Sequence, residues 1–186
     1  MARHKGSDGN AHGRLLDAAG RGFRLGGFGG IGVDAMAQAA GMTSGAFYAH
    51  FGSKADAFRL AVQHGMAALK RGVTFCQDQH GTGWRDAFVD FYLGEQMKGG
   101  LDQACALPSF SPDVARADAA TRQVFETELD GIVTAFAAGL GSPPDRSRAW
   151  ALIALLAGGA SAARAVADEG LRAEILESTR LAAKAL

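Results

Sequence analysis

Apolar residues recur at three- and four-residue intervals through most of the chain, and apolar–polar alternation is nearly absent. Such spacing predicts amphipathic helices and no sheet. Leu15, Leu16, Ala19 and Phe23 form one stripe and predict a helix over about 12–25. The stretch LGGFGGIG ends it, because five glycines in eight residues cannot continue a helix. Val33, Met36, Ala37 and Ala40 mark a short helix over about 33–40, broken at Gly41. Phe47 and Phe51, four apart, share one face of another short helix over about 44–50. Ser53, with Asp56 three residues on, is a short form of the capping box. It opens a fourth helix with Phe58, Val62, Met66 and Leu69 inward. Residues 83–98 read as helix through Phe88, Phe91 and Tyr92, and Gly99 to Pro112 reads as irregular with one helical turn at most. Residues 113–140 read as one helix with Val124, Leu129, Ile132, Val133 and Phe136 inward. GSPPD ends it and leads into helices over 145–167 and 171–185. There is no internal repeat, and residues 1–10 read as a disordered arm.

The two short helices in VDAMAQAAGMTSGAFYAHF, joined by a glycine turn, make a helix-turn-helix pattern. In that motif the second helix enters the DNA major groove with its N-terminal end leading. The small residues Ser44, Gly45 and Ala46 let that end approach base edges or phosphates, and its unpaired N–H groups attract phosphate. The Tyr48 hydroxyl can donate to a phosphate, Lys54 supplies a charge, and Phe47 and Phe51 anchor the helix.

Formal charge balances at zero over 186 residues, which argues against a general polyanion binder. The balance is uneven, since residues 1–60 hold seven Lys and Arg against four acids. The remainder holds twelve against fifteen, so the two parts suit different partners. No signal-peptide pattern is visible in the polar stretch MARHKGSDGN, and the longest apolar run, Ala149 to Ala163, is short for a membrane span. The expectation is a soluble cytoplasmic protein. Cys76 and Cys105 show no CxxC spacing and no nearby histidine pair, so neither a disulfide framework nor a metal site is expected. No nucleophile–base pair or phosphate loop is visible, and the glycines at 26–32 do not follow a strand. No cofactor and no catalysis are expected.

From Arg14 to about Met66 the chain resembles the DNA-binding domain of the TetR/AcrR (tetracycline-repressor-like) regulators. The resemblance is carried by LLDAAGRGF, the glycine stretch, and GVDAMAQAAGMTSGAFYAHFGSKADAF, with Tyr-x-His-Phe-x-x-Lys its most specific part. It covers about a third of the chain, and ARAVADEGLRAEIL near the end is similar to many members. It implies an all-α protein of two domains. These are a three-helix reading head over 11–53 and a larger ligand-binding and dimerisation body over 54–186. It also implies a homodimer on a double-stranded DNA operator, released by a small-molecule effector. Tyr48, His50 and Lys54 fall on the family's phosphate-contacting positions, and Ser44, Gly45 and Ala49 on base-facing ones, with Thr43 beside them. The chain departs from the pattern at Gly32, where many members have Ser or Thr, and at Ala49, often an aromatic.

The aromatic set Trp84, Phe88, Phe91, Tyr92 and Phe110, with Met66, is core by spacing. The resemblance makes these residues pocket walls as well, with Gln96 and Glu126 as polar contacts. Cys105 reads first as a small apolar filler and is counted with the pocket; the rival reading is a redox or electrophile sensor acting through its thiol. The helix from Ala149 to Ala163 is apolar on all sides and must be covered on all sides. A partner subunit over Trp150, Ile153, Ala154, Ala157, Gly158 and Ala162 is the economical cover. The last helix adds Ile175 and Ala182, with Glu177, Arg180 and Lys184 expected on its outside.

Overall fold

The fold, a computed structural model, is described for residues 5–186, with side chains from Ala11 onward. Among the described residues it is helical without strands. The α-helices are α1 (Lys5–Gly30), α2 (Val33–Ala39), α3 (Ser44–Phe51), α4 (Lys54–His80), α5 (Trp84–Leu93), α6 (Glu95–Lys98), α7 (Ala106–Val114), α8 (Ala119–Gly139), α9 (Arg146–Ala165) and α10 (Glu169–Ala185). The arm expected over 1–10 lies outside the described residues as far as residue 4. The chain forms two compact units, Met1–Gly65 with Leu101–Phe125, and Met66–Gly100 with Glu126–Leu186. The first therefore takes in residues 101–125, which sequence alone assigns to the body.

In the first unit, Leu15, Ala19 and Phe23 of α1 are fully buried. Phe58 of α4 packs edge-on against Phe23 at 5.1 Å between ring centres and against Phe110 of α7 at 5.8 Å. The helical path of α1 breaks at Gly27, whose φ of 67° is a left-handed value that favours glycine. A Cβ there would also lie 3.0 Å from Asp113 Oδ2. That carboxylate accepts the Phe28 N–H at 2.7 Å. The glycine stretch thus ends α1 and also brings its backbone onto α7. Gly27→Ala should lower unfolding stability by about 1–3 kcal/mol through backbone strain and the lost approach to Asp113. An unchanged denaturation midpoint would contradict that role.

Two expected elements differ. The segment taken as irregular contains α7, because Leu107, Phe110 and Val114 bury one helical face. Pro108 falls in the first turn, where its missing N–H has no partner to lose. The single helix expected over 113–140 is broken at residues 115–118. Asp118 restarts the chain as α8 by accepting the Thr121 N–H at 2.7 Å.

In the second unit, the helix expected over 83–98 is divided at Gly94 into α5 and α6. Trp84, Phe88 and Phe136 pack together, and Trp84 Nε1 donates to the Gly139 carbonyl at 3.0 Å. Gly159 of α9 lies where any Cβ would run into Thr179 of α10. Arg180 and Lys184 are not on the outside of α10. Both pair with Asp90 of α5, and Arg180 also donates to the Leu93 carbonyl. Arg172 donates to Met97 O, while Arg164 of α9 reaches Gly99 O and Gln96 O. The cations thus supply partners for carbonyls at the ends of α5 and α6, groups a helix terminus leaves unpaired.

Candidate nucleic-acid interface

The short α2 and α3 are set by local signals. Ala40 closes α2, and Gly41 turns the chain at a φ of 70°. Thr43 caps α3, its hydroxyl accepting the Ala46 N–H at 3.2 Å. Gly52, at a φ of 76°, ends α3. Ser53 then opens α4 reciprocally: its Oγ accepts the Asp56 N–H at 3.0 Å and donates to the Asp56 carboxylate at 2.6 Å. The first of these bonds is the capping-box bond read from the sequence; the second joins the two side chains rather than returning to the Ser53 N–H.

Phe47 and Phe51 are buried, with rings 4.8 Å apart, and fix α3 from behind. Thr43, Gly45, Tyr48 and Ala49 are left exposed and Ser44 half-exposed. The other two expected contacts point elsewhere in this structure. The His50 ring lies 5.7 Å from His12 of α1, and Lys54 Nζ sits 5.0 Å from the centre of the Phe28 ring. Ser44 Oγ donates to Asp34 of α2, a pairing across the turn that spacing alone does not reveal. Gly32 begins α2 without a side-chain cap, as its lack of a hydroxyl requires.

The Ser53 hydroxyl first, and Arg59 second, hold the Asp56 carboxyl below the usual aspartate value. A depressed carboxyl stabilises the fold above its unfolded pKa and loses that contribution as pH falls through the folded one. Acid should therefore loosen the start of α4, and Asp56→Asn should blunt that sensitivity. Helicity followed through an acid titration checks this; identical acid transitions in the two proteins would contradict it.

The remaining expected residues divide between the units. Met66, Trp84, Phe88 and Tyr92 are buried in the second unit, where Phe91 and Glu126 are exposed and Gln96 is half-buried. Phe110 and Cys105 belong to the first. There the fold supplies what the sequence around Cys105 lacks, a cation. Burial pulls the Arg24 guanidinium below the ordinary arginine value, while Cys105 and then Asp102 act electrostatically in the opposite sense. Arg24 lies over the Phe110 ring, and its Nε is buried without a hydrogen-bond partner. Cys76 differs: burial pushes its thiol up. Among the described residues no cluster of three His, Cys, Asp or Glu is placed to hold a metal ion, and no helix is long and apolar enough to cross a membrane.

Residues 15–59 match the family model described as bacterial regulatory proteins, tetR family. Those residues are a tetR-family segment. The match spans the tetR-family helix-turn-helix from α1 into α4. Solved structures extend the likeness in fold to nearly the whole length. The reduced form of E. coli NemR has a TM-score of 0.78 at 20% identity, over 95% of this chain and 96% of that one. A TetR transcriptional regulator from Legionella pneumophila has 0.78 at 17%, over 99% and 98%. A TetR-family regulator from Agrobacterium tumefaciens has 0.76 at 15%, over 92% and 96%. No curated protein matches the sequence.

Proposed function

We propose that the chain is a cytoplasmic transcriptional regulator, a repressor, that binds a palindromic operator as a homodimer and acts by binding rather than catalysis. A small, mostly apolar molecule releases it, with Met66, Trp84, Phe88, Tyr92 and Gln96 of the second unit as expected contacts. The observation that carries the reading is the small, exposed N-terminal end of α3 held on the buried Phe47 and Phe51, inside the segment that matches the tetR family. Ser44, Gly45 and Ala49, with Thr43 beside them, would face bases; Tyr48, His50 and Lys54 would position the head on phosphates. For the last two this means leaving His12 and Phe28. A ligand releases DNA only as far as it binds the non-operator conformation better. The test is fluorescence anisotropy on the DNA flanking the chain's own gene. Salt-sensitive binding at least about a thousandfold tighter than to random duplex is expected; equal affinity for both would overturn the reading.

Arg24 favours a second reading, in which Cys105 is a redox or electrophile sensor. A neighbouring cation favours the thiolate, the reactive form. With hydrogen peroxide, the thiolate sulfur would attack one oxygen, the O–O bond would break, and hydroxide would leave and take a proton to become water. The first reading predicts that Cys105→Ser keeps DNA binding in the presence and absence of peroxide, like the wild type. Peroxide release of the wild type alone would promote the sensor.

A further inference from the structure

The first unit contains a cleft of about 620 Å³ between the glycine turn of α1, the start of α4 and the link from α7 to α8. That size is within the range of sites for small molecules. Its walls include Phe28, Phe58, Ala55 and Ala117, and its polar groups include Asp113, Arg116, Asp118 and Thr121. One of these charges is matched: Asp113 accepts from the Phe28 N–H and from Arg116 at 2.9 Å. Asp118 accepts from the Thr121 N–H, a neutral donor, and so keeps its negative charge. An anionic guest would therefore meet a like charge and would lose its hydration on entering. An aromatic guest without negative charge loses less and gains the half-buried Phe28 surface.

We infer that this cleft is a binding site for compact aromatic molecules that carry no negative charge, separate from the aromatic set of the second unit. Its position gives it a route to the reading head. Phe28, one of its walls, is the ring on which Lys54 Nζ sits, 5.0 Å from the centroid. A guest pressed against Phe28 moves the ring that holds Lys54, the expected phosphate contact. The pocket needs only the fold; its role as an effector site rests on the proposed DNA binding.

Naphthol is a suitable probe, with naphthoate and naphthylmethylammonium as charged counterparts. Titrated into the free protein and followed by amide NMR, naphthol should bind at about 1 mM or tighter. It should shift the signals of residues 26–30 and 113–121. Naphthoate should bind at least roughly tenfold more weakly than naphthol, and naphthylmethylammonium at least as well. Ala117→Leu and Ala55→Leu each extend a side chain from the wall and should weaken naphthol by a similar factor; two variants guard against one that does not fold. Shifts confined to the second unit, equal binding of naphthoate, or full affinity in both folded variants would overturn the site. On operator DNA, naphthol should weaken the wild type and leave Ala117→Leu unaffected. Equal operator affinity with and without naphthol would overturn the effector role. A wild type that binds no DNA at all would instead overturn the proposed function, and the titration of the free protein would still decide the pocket.

Discussion

Gly158→Glu is expected to abolish operator binding without touching the reading head. On α9 and α10, Trp150, Leu171 and Leu181 are 44%, 45% and 63% exposed, and Ala154, Gly158, Ala162 and Ala182 are exposed beside them. Ala157 and Ile175 are half-exposed, whereas Ile153 is buried within its own unit. Pairing this face across a two-fold axis would make a four-helix bundle and cover it. A Cβ at Gly158 meets nothing within 4 Å, so the glutamate is tolerated by a single chain. In a dimer it would put two like charges near the axis, where desolvating either costs on the order of several kcal/mol. The variant should sediment as a folded monomer with native helicity. Gly159→Glu is the contrasting control: its side chain runs into Thr179, so the protomer itself should be destabilised. A Gly158→Glu protein that stays dimeric would remove α9 from the interface.

The second large effect concerns Lys54. As a phosphate contact in each of two heads, it should contribute about one unit per head to the slope of log affinity against log salt. Lys54→Ala should then weaken all sequences alike, by about ten- to a hundredfold at low salt, and flatten the slope by about two units. Tyr48→Phe should weaken binding less, again without changing sequence preference, because it removes one hydroxyl donor. Ser44→Ala should act differently. It takes away a base-facing hydroxyl and the partner of Asp34, so it should alter which operator is preferred. A Lys54→Ala protein with unchanged affinity and salt slope would show that Lys54 stays on Phe28 when DNA is bound.

The reading head was legible in the sequence because its signals are local. Gly41 with its left-handed φ, the Thr43 cap, the Phe47–Phe51 spacing and the Ser53–Asp56 box each act within a few residues. The breaks at Gly94 and at residues 115–118 were harder to read, because the apolar spacing continues across them. At the second break, Asp118 followed three residues later by Thr121 was the available signal. Proline content suggested an irregular chain where α7 forms. Pro108 in the first turn costs the helix little, and the backbone bond that Pro112 forfeits inside it is offset as Phe110 gains burial against Phe58. The placements of Arg24 beside Cys105, Asp34 beside Ser44, and Arg180 and Lys184 on Asp90 depend on which helices meet. No residue within a few positions of any of them announces that. The cleft was missed for a related reason: the sequence marked its glycines as a helix end, and only the approach of α7 makes them a wall.

Selection of bound duplexes from a random-sequence pool, followed by sedimentation of the winner with the protein, tests the dimeric reader most directly. The expected winner is an inverted repeat whose half-site centres lie about one helical turn apart, roughly 34–36 Å. It should carry two chains per duplex and lose most of its affinity when one half-site is scrambled. No enriched sequence, or a winner without two-fold symmetry bound by a single chain, would contradict a homodimer that reads DNA through α3.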